Sequence, residues 1–179
     1  MCKIYAITPD KSPNFSRIEK LLQSEIYFLQ YRRKNTNINT KLTEATTLQK
    51  LCKKYKTKFI INDDVNLAIK INADGVHLGQ SDLNIKTARK MLGNNKIIGI
   101  TCHNNISLAI EAQKNSANYV AFGRVFESKT KPNATKCSLK IITLAKQQLN
   151  IPIVAIGGIT PHNQQLVFDA GCDIVARTI

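Results

Sequence analysis

Eight short apolar runs, separated by stretches of helical spacing, predict an α/β fold: a TIM (β/α)8 barrel, short and lacking its last helix. Three observations carry this reading. The runs are Lys3–Thr8, Tyr27–Tyr31, Phe59–Asn62, Gly75–His77, Ile97–Ile100, Tyr119–Phe122, Ile153–Ala155 and Ile174–Ala176. Most are apolar on both faces, as in Phe59-Ile60-Ile61, which a parallel sheet covered by helices requires. Eight strands fit a closed barrel better than an open doubly wound sheet, and no G-x-G-x-x-G follows the first run to favour the latter. At 179 residues the chain is short for this architecture, and it ends at Ile179, directly after the eighth run. The closing helix is therefore expected to be missing, leaving apolar surface on one flank unless a partner covers it.

The helical segments follow from period 3.6. Phe15–Gln23 places Ile18, Leu21 and Leu22 on one face, and Leu42–Tyr55 does the same with Leu42, Ala45, Leu48 and Cys52. Ile106–Ser116 and Leu139–Leu149 repeat the pattern. Thr160-Pro161 reads as an N-cap with proline at the first helical position, and Gly171 as a helix stop. No linker or low-complexity segment interrupts the rhythm, so residues 1–179 are expected to form one domain.

Composition narrows the class. A hydrophobic fraction of 43% and a charged fraction of 21% are ordinary globular values. No run approaches the ~18 apolar residues of a membrane span, and Met1-Cys2-Lys3-Ile4-Tyr5 has no secretory character, so a cytoplasmic protein is expected. Five scattered cysteines without a C-x-x-C pair argue against a disulfide framework or structural zinc. A catalytic thiol at Cys102 is disfavoured because neighbouring strand residues, here Cys102 and His103, point to opposite faces. The 26 Lys and Arg against 12 Asp and Glu give a formal charge of +14. The lysines are spread along the helical segments and no aromatics interleave with them, which fits a solvated surface better than a nucleic-acid binder. A net positive charge also suits a polyanionic small substrate.

In a parallel barrel the chemistry belongs at the carboxyl ends of the strands. Gln30-Tyr31-Arg32-Arg33-Lys34 ends the second strand, and alternation puts Gln30, Arg32 and Lys34 on one side. Arg32 and Lys34 together can grip a diphosphate, and a solvated basic loop is an equal alternative from this motif alone. Asn62-Asp63-Asp64 ends the third strand. Asp63 and Asp82, from neighbouring strands, can converge on one Mg²⁺, while Asp64 is better read as the cap of the next helix. His77 is read as a residue of the barrel interior. The fifth strand offers Thr101. The loop Gly123–Pro132 holds Ser128, Thr130 and Lys131, and Gly157-Gly158-Ile159 lets backbone N–H groups approach a phosphate.

In order, Ile4-Tyr5-Ala6-Ile7-Thr8, Gln30-Tyr31-Arg32-Arg33-Lys34, Ile60-Ile61-Asn62-Asp63-Asp64, Ala73-Asp74-Gly75-Val76-His77-Leu78-Gly79-Gln80-Ser81-Asp82, Ser128-Lys129-Thr130-Lys131 and Ile156-Gly157-Gly158-Ile159 resemble the thiamine phosphate synthase family. The resemblance implies a Mg²⁺-dependent transfer. Hydroxymethylpyrimidine diphosphate and hydroxyethylthiazole phosphate would give thiamine phosphate and pyrophosphate. It further implies that Arg32, Lys34, Asn62 and Lys131, with Gln30, hold the diphosphate and pyrimidine, and that Asp63 and Asp82 bind Mg²⁺. Arg32, Lys34 and Lys131 would carry the catalytic charge, and Thr101 takes the place of a family serine near the pyrophosphate. Ser128, Thr130 and Gly158 would serve the thiazole phosphate. Arg124 departs from a family proline and Ile179 from an expected serine. A non-catalytic relative, or a tautomerase-like one that binds only the thiazole phosphate, is the alternative, and a homodimer across the uncovered flank stays open.

Overall fold

The structure, a computed structural model, describes residues 3–127 and 135–179. Its elements alternate strictly: β1 (Lys3–Ile7), α1 (Phe15–Leu22), β2 (Ile26–Tyr31), α2 (Ile38–Lys54), β3 (Lys58–Asn62), α3 (Val65–Lys70), β4 (Gly75–Leu78) and α4 (Ile85–Leu92) form the first half. The second half is β5 (Ile97–His103), α5 (Ile106–Lys114), β6 (Tyr119–Gly123), α6 (Leu139–Gln148), β7 (Ile153–Ile156), α7 (Gln164–Asp169) and β8 (Ile174–Thr178). All strands are parallel and each pairs with its neighbours in sequence; β8 closes on β1 through Lys3 to Ile7 against Ile174 to Thr178. The expected eight-stranded barrel without a helix after β8 is thus what the chain forms.

Three expectations need correction. Helix α7 starts at Gln164, not at Thr160-Pro161, because the Thr160 N–H is taken by the Asn163 side chain at 2.8 Å and Pro161 opens a turn instead. Helix α2 starts at Ile38, earlier than its apolar spacing indicated, since Asn37 caps it by accepting from the Thr40 N–H. The flank beside β8 is not an apolar opening at its centre: Ala6 and Val175 are fully buried, in one cluster with Ile18 and Leu22 of α1 and Val167 of α7.

The inward face carries Tyr5, Ile7, Phe28, Ile60, Tyr119, Ala121, Val154, Ile174 and Ala176, while the outward strand residues pack under the helices. Inside the barrel Tyr5 meets Phe28 edge-on at 5.1 Å and Tyr119 at 5.8 Å between ring centroids. The Tyr119 ring fits only because position 99 is glycine: a Cβ there would fall 1.9 Å from the ring.

The amino-terminal rim is held by a repeated device. Helices α2, α3, α5 and α7 each end in a left-handed residue, Lys56, Asn72, Ser116 and Gly171. The next N–H reaches back five residues, as in Ala73 to the Ala68 carbonyl (2.8 Å) and Cys172 to that of Val167 (3.2 Å). One residue on, after the last three of these helices, an Asp or Asn ties two strands. The side chains of Asp74, Asn118 and Asp173 accept from the Phe59, Ile98 and Ile153 N–H groups at 2.8–2.9 Å, and their own N–H groups bond the carbonyls of those same residues. With this rim locked by backbone geometry, the opposite rim is left for polar side chains.

Candidate functional site

Strand β2 sorts its polar end by alternation. Tyr31 and Arg33 point outward, where both meet Glu44 of α2: the Tyr31 hydroxyl donates to Glu44 Oε2 at 2.6 Å, and Arg33 Nε lies 3.5 Å from the same oxygen. Gln30 points into the barrel and is buried. Arg32 and Lys34 flank the mouth, and Asp10 arranges them, 3.5 Å from an Arg32 guanidinium nitrogen and accepting from the Lys34 N–H at 2.7 Å. Desolvation works against the ionised Asp10 carboxylate, but hydrogen bonds from Lys34 and Asn35 and the charges of Arg32 and Arg33 hold it below the usual range.

Strand β3 turns sharply after Asn62. Asp63 has φ 63°, a left-handed conformation that Asp tolerates better than most residues. That turn separates the roles of the two aspartates: Asp64 caps α3 through the Leu67 N–H at 2.9 Å, while the Asp63 carboxylate faces the mouth and takes Lys34 Nζ at 2.9 Å. Asp82 meets it from β4's loop, held by the Gly79 N–H at 2.7 Å. Desolvation, contact with Asp63 and the Asp63 charge raise the Asp82 carboxyl, against the pull of Gly79 and Lys34. Two carboxylates pressed together are the donor set that a hard divalent cation relieves, with waters and a ligand's phosphate oxygens completing the shell. Among the described residues no group of three or more His, Cys, Asp or Glu could hold a metal by itself. A cavity of about 430 Å³ adjoins Asp63 on the side of Arg33 and Lys34, lined also by Asn62 and bounded by Leu83 and Met91.

Across the barrel, His77 stacks on Tyr119, its Nδ1 2.9 Å from the Tyr119 hydroxyl and its Nε2 2.8 Å from Thr101 Oγ1. The Tyr119 hydroxyl lies 2.8 Å from that of Tyr5, to which Gln30 Nε2 donates at 2.6 Å. His77 is thus an interior residue, as expected, but one linked to two candidate ligand groups. Tyr5, Tyr119 and Asp10 escaped the sequence reading. Only Tyr119 carried a local signal, since the small residues Ala121 and Gly123 follow it on the same face of β6.

Cys102 is fully buried and burial pushes its thiol up to about 12, so it is no nucleophile, and His103 beside it is exposed. Gly158, at φ 63°, lies so close to β6's loop that a Cβ would fall 2.2 Å from the Glu127 carbonyl oxygen. Ser128, Thr130 and Lys131 lie outside the described residues. Gln30, Asn62, Asp63, Asp82, Arg32, Lys34, Thr101 and Gly158 all stand at the carboxyl ends of strands or in the loops that follow them; Lys34, Asp63 and Asp82 meet directly, and Arg32 joins Lys34 through Asp10.

Comparison with known proteins shows the family to which the chain belongs. A sequence model described as thiamine monophosphate synthase matches residues 4–178. The thiamine-phosphate synthase of Thioalkalivibrio sulfidiphilus is 45% identical over 97% of this chain and 84% of its own length. That of Nitrosococcus oceani is 50% identical over 87% of this chain and 71% of its own. Among solved structures, thiamine phosphate pyrophosphorylase from Pyrococcus furiosus superposes with a TM-score of 0.89 at 31% identity, covering 98% of this chain and 85% of that one. The chain belongs to the thiamine monophosphate synthase family, and is a transferase.

Proposed function

We propose that the protein joins hydroxymethylpyrimidine diphosphate to hydroxyethylthiazole phosphate, releasing pyrophosphate, with Mg²⁺ held by Asp63 and Asp82. The observation that carries this reading is the meeting of two carboxylates from adjacent strands with Lys34 and Arg32 beside them. Such a set suits a cation-bridged diphosphate and has no purpose in binding a monophosphate alone.

The chemistry asked of the site is modest. The bond between the pyrimidine methylene carbon and the diphosphate oxygen breaks, and its electron pair leaves with the pyrophosphate. The thiazole nitrogen lone pair then forms the new C–N bond. Bound Mg²⁺ would neutralise charge on the departing oxygens. Arg32 and Lys34 supply further positive charge to the same group, and their aim is set by Asp10 and by the outward anchoring of Tyr31 and Arg33 on Glu44. Gln30 and Asn62 face the pyrimidine, while Thr101 faces the pyrophosphate. Gly158 and the β6 loop, with Ser128, Thr130 and Lys131, serve the two phosphate groups.

The test is pyrophosphate release from the two substrates, with and without Mg²⁺. Release that needs all three components is expected. Folded protein that binds the thiazole phosphate but releases no pyrophosphate would overturn the assignment and favour a binding-only or tautomerase-like relative.

A further inference from the structure

The buried polar chain inside the barrel joins five residues from five strands, β1, β2, β4, β5 and β6. Gln30 Nε2, Tyr5 Oη, Tyr119 Oη, the His77 ring and Thr101 Oγ1 follow one another at 2.6, 2.8, 2.9 and 2.8 Å. The first three residues are almost wholly buried, at 3%, 1% and 1% exposure, whereas Thr101 is half-buried at the mouth. The chain therefore passes through an almost wholly buried interior and ends on Thr101 at the mouth.

Its hydrogens can be counted. Gln30 Nε2 donates to the Tyr5 oxygen, so the Tyr5 hydrogen must go elsewhere. Among the described residues its remaining partner is the Tyr119 oxygen. The Tyr119 hydrogen is then directed to His77 Nδ1. An imidazole that accepts at Nδ1 carries its proton on Nε2, and this N–H points at Thr101 Oγ1. The opposite polarity would leave the Tyr5 hydrogen without an acceptor in a fully buried position, the costly case for any polar group. Burial raises both tyrosines, so neither loses its hydrogen at neutral pH.

We propose that Tyr5, Tyr119 and His77 are positioning residues: they fix His77 as its Nε2–H tautomer, which occupies the Thr101 oxygen as an acceptor and leaves the Thr101 hydroxyl free to donate to the departing pyrophosphate. Apolar packing alone asks for none of this, since Phe28 fills the same layer without a hydroxyl. Gly99 gives the Tyr119 ring its room, and Gln80 Nε2 holds the Thr101 carbonyl at 2.5 Å, so the last member of the chain is fixed on its backbone side as well. The identity of the acceptor rests on the function proposed above; the tautomer does not.

The experiment has two readings. ¹⁵N NMR of the imidazole nitrogens, with the His77 signals identified by their loss in His77→Gln, is expected to show a protonated Nε2 and a bare Nδ1. In Tyr119→Phe that signature is expected to change. A wild-type ring protonated on Nδ1 overturns the proposal outright. The second reading is calorimetric binding of inorganic pyrophosphate with Mg²⁺. Thr101→Ser is expected to bind like the wild type, and Thr101→Val and Tyr119→Phe each to bind about tenfold more weakly, the loss of one hydrogen bond to an anion. Unchanged affinity in Tyr119→Phe, with the tautomer altered, overturns the positioning role. If Tyr119→Phe does not fold, the wild-type tautomer and the Thr101 pair still decide. Failure of the proposed function reads differently: wild-type protein then binds no pyrophosphate, although His77 still carries its proton on Nε2.

Discussion

Lys34 Nζ stands 2.9 Å from Asp63 Oδ2, so the ammonium already neutralises one of the two carboxylates proposed to hold Mg²⁺. Under the function proposed above, lysine and metal would compete for Asp63, and a bound diphosphate would draw the lysine away. Lys34→Met is expected to tighten Mn²⁺ binding to the substrate-free protein, because two facing carboxylates lose their resident counter-charge. The same variant is expected to weaken diphosphate binding about tenfold, the cost of one charge-assisted contact. Titration of Mn²⁺ by electron paramagnetic resonance, with and without the diphosphate substrate, checks both directions.

Asp63 needs a careful substitution, because its backbone is left-handed. Alanine there costs about 1–2 kcal/mol of backbone strain on top of any lost chemistry. Asparagine accepts the conformation and removes only the charge. Asp63→Asn is expected to lower Mg²⁺-dependent turnover at least about a hundredfold while shifting the urea midpoint little. Turnover near the wild-type level would remove the metal from this position.

Gly99 is a test of the barrel interior rather than of the site. A Cβ at this position falls 1.9 Å from the Tyr119 ring, which has no free space to enter. Gly99→Ala is expected to destabilise the fold by about 3 kcal/mol or more. The displaced ring also loses its stacking on His77, so near-ultraviolet dichroism of the tyrosines is expected to change along with the urea midpoint.

Stability is expected to fall on the alkaline side. Burial raises the thiols of Cys52, Cys102 and Cys172 from 9.0 to about 12 and that of Cys137 to about 11. Below about pH 9 these groups hold their protons folded or unfolded, and their contribution is intact. Above it the unfolded chain releases protons that the native state retains, so stability drops as pH climbs from about 9 toward about 12. Urea midpoints measured at about pH 8 and about pH 10.5 should differ clearly, and a flat profile would mean that the thiols are not sealed in the native state.

Much of this molecule was legible before any coordinates. Strands of a covered parallel sheet are apolar on both faces, and so Phe59-Ile60-Ile61 or Ile153-Val154-Ala155 can hardly be read otherwise. Helix α4 was not among the helices read, although Ile85, Ala88 and Leu92 stand at helical spacing behind an Asn84 cap; it is short and fully buries only Ala88. At the site, period-2 alternation correctly separated Gln30, Arg32 and Lys34 from Tyr31 and Arg33, because the strand's geometry acts over adjacent residues. The Tyr5–Tyr119 contact joins residues 114 apart, and no local pattern encodes which hydroxyls meet in the middle of a closed barrel. Asp10 was missed for a related reason, since its partners Arg32, Lys34 and Asn35 follow the next strand, with Lys34 24 residues away.

The ties made by Asp74, Asn118 and Asp173 all lie on the rim away from the candidate site, and each spans only 15 to 20 residues of sequence. Each joins an odd strand to the even strand after it, so β3–β4, β5–β6 and β7–β8 are stapled as modules with their own internal register. Substitutions drifting through the loops at the far rim break none of those staples. One half of this protein can therefore explore new ligands while the other keeps the hoop closed.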